Sequence, residues 1–327
     1  MKKKFFQRRL FWIKTGIITV LIGLVAYFGA GYMVYNQLST INLPSAEDAA
    51  NNPSSFIVSD SRWSDFDTTP YLMTSYQDVT FTSREDAIKL SGWYIPANPN
   101  RPVVIVVHGI NGNKHDGKVL TAAGMLVHDG FNVLMFDLRN HGDSDKDNGR
   151  TSIGNKEYLD VLGAWDYLIK DKDYSPEKIG VYAISLGAGT ALTAFAQEPR
   201  VACLFVDSPY ANLEEIAKAE LARNHYPTFL WFSAYLTARV TGVDLLAHNP
   251  YDAITQCNGR PIYIVHGTAD KRINVDQTYE LQSMAKSTGA NVTVWITDGV
   301  EHCGSEFVFT TDYQQKLISF FDGALNK

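Results

Sequence analysis

Apolar positions in this chain follow two spacings that alternate from about residue 77 to residue 325. Short runs such as Val103-Val104-Ile105-Val106-Val107 are apolar throughout and rich in β-branched residues, as strands buried on both faces are. Runs of this kind, or alternating ones, predict strands at residues 77–82, 88–95, 103–107, 132–136, 178–184, 201–206, 261–265 and 291–297. Helical spacing between them predicts helices at residues 114–128, 155–170, 186–197, 275–287 and 305–325. Eight strands joined mostly by helical crossovers imply an α/β fold with a largely parallel sheet, helices on both faces and ligand chemistry at the strand carboxyl ends. Residues 208–259 are too many for a simple connection and too apolar for a disordered loop, which predicts a small helical cap. Within it residues 211–224 are amphipathic, and residues 225–235 concentrate aromatics suited to lining an acyl pocket, touching a membrane or packing the cap.

The N-terminus has a different pattern. Lys2, Lys3, Lys4, Arg8 and Arg9 precede residues 15–35, twenty-one positions without a charge and long enough to cross a bilayer. Residues 1–36 are therefore expected to form a cytoplasmic basic flank and a single-pass anchor in the lipid bilayer, with the rest of the chain outside. A cleaved signal peptide is the alternative; its apolar core is normally shorter, and Phe28-Gly29-Ala30 is a weak cleavage region. Residues 37–76 read as tether and lead-in, irregular around Pro44, Pro53 and Pro70, with a short helix expected at residues 45–51. The folded domain is then expected over residues 77–327, with the cap at 208–259.

Composition narrows the chemistry. The 327 residues carry a net charge of −6, and the body has no cluster of lysine or arginine, which argues against nucleic acid as a partner. Cys203, Cys257 and Cys303 have neither metal-ligand nor Cys-x-x-Cys spacing and suggest no disulfide framework.

One apolar run, Gly180-Val181-Tyr182-Ala183-Ile184, ends at Ser185 and turns at once into the small-residue stretch Leu186-Gly187-Ala188-Gly189. This is the pattern of a nucleophile elbow, with Ala183 where Gly-x-Ser-x-Gly has its first glycine. Asp270 follows the strand at 261–265, and His302 follows the strand at 291–297. The order Ser, Asp, His, each beyond a strand's carboxyl end, matches one known triad arrangement and differs from two others. Ser185, Asp270 and His302 are accordingly the candidate triad: His302 takes the serine proton, and Asp270 fixes the imidazole tautomer. The strand at 103–107 runs into His108-Gly109-Ile110, where the Ile110 amide is expected to join that of Leu186 as an oxyanion hole. His108 alone reads as a core histidine beside a glycine turn.

On these motifs the chain resembles the α/β-hydrolase superfamily over residues 77–325, and more narrowly the membrane-anchored bacterial serine hydrolases related to the serine aminopeptidase and prolyl-oligopeptidase-like groups. Asp137-Leu138-Arg139-Asn140-His141-Gly142-Asp143-Ser144 is similar to the family's Asp-x-Arg-Gly-His-Gly-x-Ser stretch, with Asn140 in place of glycine, and the resemblance implies a structural role for it. Asp207 is a rival acid after the sixth strand; the His266-Gly267-Thr268-Ala269-Asp270 context typical of the family favours Asp270. Cys303 reads as a passive neighbour of His302, and Glu301 has no assigned role. The expected reaction is hydrolysis through an acyl-Ser185 intermediate, with no metal or organic cofactor. Carboxylic esters are the first expected substrates and short peptides the alternative. An inactive fold used as a binding module would lack a triad member, and none is missing.

Overall fold

The computed structural model describes residues 2–42 and 50–326, so the short helix expected at 45–51 falls almost wholly outside the described residues. Its contacts group into two units: one made of Met1–Ser39 and Glu214–Leu245, the other of Thr40–Leu213 and Leu246–Lys327.

In the second unit, one sheet is built from β1 (Gln77–Thr82), β2 (Lys89–Ile95), β3 (Val103–Val107), β4 (Asn132–Phe136), β5 (Ile179–Ile184), β6 (Cys203–Asp207), β7 (Ile262–Gly267) and β8 (Val292–Thr297). Their spatial order is β1-β2-β4-β3-β5-β6-β7-β8. The pairs β1/β2 and β2/β4 are antiparallel, and every later pair is parallel. All eight expected strands are present within two residues at each end. The central strands β3 to β6 are buried along their whole length, which is why their sequences run apolar instead of alternating.

Helices cover both faces. Val104 and Val106 of β3 point into a core with α2 (Gly117–His128) and α10 (Thr310–Leu325), while Val103, Ile105 and Val107 face α3 (Tyr158–Lys170), α4 (Leu186–Gln197) and α8 (Asp276–Thr288). The expected helix at 305–325 is two helices, α9 (Ser305–Val308) and α10, separated at Phe309. Phe309 has φ −120° and ψ 45°, outside helical geometry. The short α7 (Asp252–Thr255) adds Ala253 and Ile254 to the core beside α4 and α8. Residues 50–76 lie close against α2: Ile57 crosses Gly117 and Tyr71 crosses Gly124, each so near that a Cβ on the glycine would meet main-chain oxygen within 2.4 Å.

The first unit holds α1 (Lys2–Ser39) and α6 (Leu230–Val240), together with all but the first residue of α5 (Leu213–Arg223). The apolar stretch expected as an anchor lies inside α1, whose described length of 38 residues exceeds it at both ends. Within α1, residues 5–39 are long and apolar enough to cross a membrane. Helices α1 and α6 run side by side. Ser233 donates to the Tyr27 carbonyl at 3.1 Å, the Tyr27 hydroxyl donates to the Phe229 carbonyl at 3.1 Å, and Thr241 bonds the Tyr35 hydroxyl at 3.1 Å. Gly31 permits this approach, since a Cβ there would lie 2.0 Å from Ser233 Oγ.

Candidate active site

Strand β5 delivers Ser185 into a turn so tight that its backbone sits at φ 54°, ψ −121°, a region that costs a non-glycine residue energy. The conformation is held from both sides: the Ser185 amide donates to the Asp207 carbonyl at 2.9 Å, and its carbonyl accepts from Gly189 as α4 begins. No larger residue fits at 187, where a Cβ would come within 2.3 Å of the His108 carbonyl oxygen. At Gly189 the obstacle is the Tyr210 ring, 2.2 Å away. Position 183, where the motif has glycine, tolerates alanine because that methyl lies inside the strand core.

His302 and Asp270 come from loops after β8 and β7. The Ser185 hydroxyl donates to His302 Nε2 at 2.9 Å, and His302 Nδ1–H donates to Asp270 Oδ2 at 2.6 Å. With a carboxylate opposite Nδ1, the proton belongs there and Nε2 is the acceptor. Burial lowers the His302 pKa from its ordinary value, partly offset by the Asp270 carboxylate. Burial alone would raise the Asp270 pKa, but hydrogen bonds from His266 and His302 hold it well below the carboxylate range. Its other oxygen, Oδ1, accepts the amides of Arg272 and Ile273 at 2.8 and 2.9 Å.

His266 has no counterpart among the residues singled out by sequence. It is fully buried; Thr278 donates to its Nδ1 at 2.7 Å, and its Nε2–H reaches both the Ile273 carbonyl at 2.9 Å and Asp270 Oδ2 at 3.1 Å. The signal was available, because His266 opens the His-Gly-x-x-Asp string, but a spacing of four residues across a loop does not reveal that the two side chains meet.

The loop after β3 lies directly against the serine: a Cβ on Gly109 would sit 3.2 Å from Ser185 Cβ. Ile110 follows in that loop, and Leu186 is the first residue of α4. His108 is buried, with Nδ1–H donating to the Gly109 carbonyl at 2.7 Å and Nε2 accepting the Leu138 amide at 3.0 Å, so it braces the loop as a neutral core histidine. Burial keeps its pKa well below normal. A cleft beside the loop is lined by Ser59, Asp60, Ile110, Asn111, Asn113 and Lys118.

The rival acid lies elsewhere in the hydrogen-bond network. Asp207 accepts from Ser208 at 2.9 Å and from Tyr313 at 3.1 Å, and burial pushes its pKa up to about 6. Asp137 accepts both the amide and the ammonium of Lys114, and Arg139 pairs with Asp160. Both are buried braces under the loops. Cys303 is buried, and Glu301 pairs with Arg62 at 3.0 Å.

Residues 119–327 match the model of the prolyl oligopeptidase family. The chain belongs to that family. It is a serine hydrolase of the esterase-like or peptidase-like kind. The hydrolase is 28% identical to the protein YfhR of Salmonella typhi over 258 residues, 76% of this chain and 82% of that one. It is 32% identical to the Mycobacterium tuberculosis protein Rv2307c over 146 residues, 44% of this chain and 47% of that one. Among solved structures, the Pyrococcus furiosus esterase Pf2001 superposes with TM-score 0.64 at 25% identity, covering 88% of this chain and 98% of that chain. The Pyrococcus horikoshii acylaminoacyl peptidase superposes with TM-score 0.58 at 19% identity, a likeness of fold covering 78% of this chain and 43% of that chain.

Proposed function

We propose that the protein hydrolyses carboxylic esters, with Ser185 as nucleophile, His302 as general base then acid, and Asp270 as the group that orients the imidazole. The observation that carries this reading is the unbroken run of hydrogen bonds Ser185 Oγ, His302 Nε2 and Nδ1, Asp270 Oδ2, at 2.9 and 2.6 Å. As Ser185 Oγ attacks an acyl carbon, its proton passes to His302 Nε2. The imidazolium so formed faces the Asp270 carboxylate and then hands the proton to the departing alcohol. Water repeats the sequence on the acyl-serine and frees the acid. The amides of Ile110 and Leu186 are proposed to hold the oxyanion, supported by the seating of Gly109 on Ser185 and by Leu186 opening α4, where amides carry the positive end of the helix dipole.

The ester preference is supported by the match to an esterase over 98% of that chain, against 43% of a peptidase. The family itself favours a second reading, cleavage of short peptides, because the same groups serve both leaving groups. Residues 1–36 are proposed to anchor the enzyme in a membrane with residues 77–327 outside, supported by the basic flank and the apolar length of α1.

Fluorophosphonate labelling tests the nucleophile. Ser185→Ala should abolish labelling and lower turnover by on the order of a thousandfold or more, with the fold unchanged. Retained turnover in the purified variant would refute the assignment. Competing p-nitrophenyl esters against aminoacyl amides separates the two substrate readings.

A further inference from the structure

In a lipid-anchored chain, the depth of α6 follows from where it touches α1. Lys14 is the last basic residue before the uncharged run, and a hydrocarbon core about 30 Å thick takes some 20 residues at 1.5 Å each, which brings its outer edge close to Tyr35. Tyr27 lies eight residues before Tyr35, hence about 12 Å deeper. The start of α6 is tied at that deeper level, where the Tyr27 hydroxyl donates to Phe229 O and Ser233 donates to Tyr27 O. Its end is tied at the outer level, Thr241 to Tyr35. Before α6, Asn224 is tied at the outer level as well, bonded to Gln37 at 3.4 Å. The chain therefore descends from Asn224 to Phe229 and climbs back through α6.

Side-chain chemistry is sorted along the same line. Residues 226–238 hold no charged side chain. The charged groups Lys218, Glu220, Arg223, Arg239 and Asp244 flank that segment, and Arg239 pairs with Asp244. At the deep end, Phe229 and Phe232 are 66% and 59% exposed. They are large apolar side chains without cover on a segment tied beside the exposed Leu24, Val25 and Phe28 of α1. The backbone of the descent is also suited to oil. The amides of Asn224, His225 and Tyr226 donate to carbonyls of α5, position 227 is proline and has no amide, and the Phe229 carbonyl holds the Tyr27 hydroxyl. Gly31 against Ser233, with buried Ala234 and Ala238 on the same helix, is the small-residue contact by which helices pack where no hydrophobic drive exists between them.

We infer that residues 226–238 form a re-entrant segment that enters the outer leaflet beside α1, with Phe229 and Phe232 surrounded by lipid acyl chains. The inference rests on the anchor reading above.

Site-directed nitroxide labelling of the full chain in phosphatidylcholine vesicles containing phosphatidylglycerol tests it. Native Cys203, Cys257 and Cys303 are buried, and the unsubstituted protein measures their background. Labels on Phe229→Cys, Phe232→Cys, Leu21→Cys and Lys218→Cys are compared for relaxation by oxygen, which concentrates in lipid, and by a water-soluble nickel chelate. The expected result is oxygen-dominated relaxation at 229 and 232, as at 21, and nickel-dominated relaxation at 218. Nickel-dominated relaxation at 229 and 232 with oxygen dominance at 21 overturns the re-entrant segment and leaves the anchor standing. Nickel dominance at 21 overturns both. The three sites besides Lys218 are exposed, so cysteine there removes no buried contact.

Discussion

His302 is the residue on which the chemistry turns, and its surroundings fix when it can act. It must be neutral to accept a proton, and burial lowers its pKa below the ordinary 6.5. The acid limb of kcat/KM should therefore fall only as pH drops through a value below 6.5, with a plateau across neutrality; a limb centred above 6.5, in a pH series on a neutral ester, would contradict the assignment. The two buried aspartates should also separate sharply. Asp270→Asn removes the acceptor that keeps the proton on Nδ1 and should lower kcat by on the order of 10³ to 10⁴. Asp207→Asn, whose carboxylate is bonded to Ser208 and Tyr313, should lower it far less. Steady-state kinetics on both folded variants decide the matter, and a larger loss at Asp207 would move the acid to β6. At this scale the sequence was informative because each of the three hydrogen-bonded side chains follows a strand. His266 escaped because a buried histidine sharing a carboxylate oxygen with another histidine leaves no spacing signature.

Among elements, the strand-to-helix turn around Ser185 and the loop after β3 act as one piece, because Gly187 is seated on the His108 carbonyl. Gly187→Val must push the two apart, which displaces Ser185 from the Ile110 loop. A displacement near 1 Å corresponds to roughly a hundredfold loss in kcat/KM. Ester kinetics should register it, with much smaller change at Gly323, around which a Cβ would find open space. The central strands were legible because full burial makes them apolar throughout. Less legible was the break at Phe309 between α9 and α10, since residues on either side keep helical spacing and only the backbone departs. The pairing of α1 with α6 was not legible at all. Small residues such as Gly31 and Ser233 carry no periodic signal, and the aromatics at 225–235 suited three readings equally.

For the whole molecule, the uncharged stretch and basic flank predict that the full chain sediments with membranes and resists carbonate extraction. In cells stripped of wall and outer membrane, added protease should digest residues 77–327. A protected domain would reverse the orientation, and a mature N-terminus near residue 31 would replace the anchor with a cleaved signal. The side-by-side helices of the first unit also impose a schedule on its making. Gly31 and Ser233 are 202 positions apart in the chain. At 5–20 residues per second, roughly 10 to 40 seconds of synthesis separate the appearance of one from that of the other. By then β1 to β6 have all emerged, while the notch at Gly31 has waited unfilled. The unit that begins the chain is thus among the last to close, and a ribosome stalled before residue 233 leaves α1 without its neighbour.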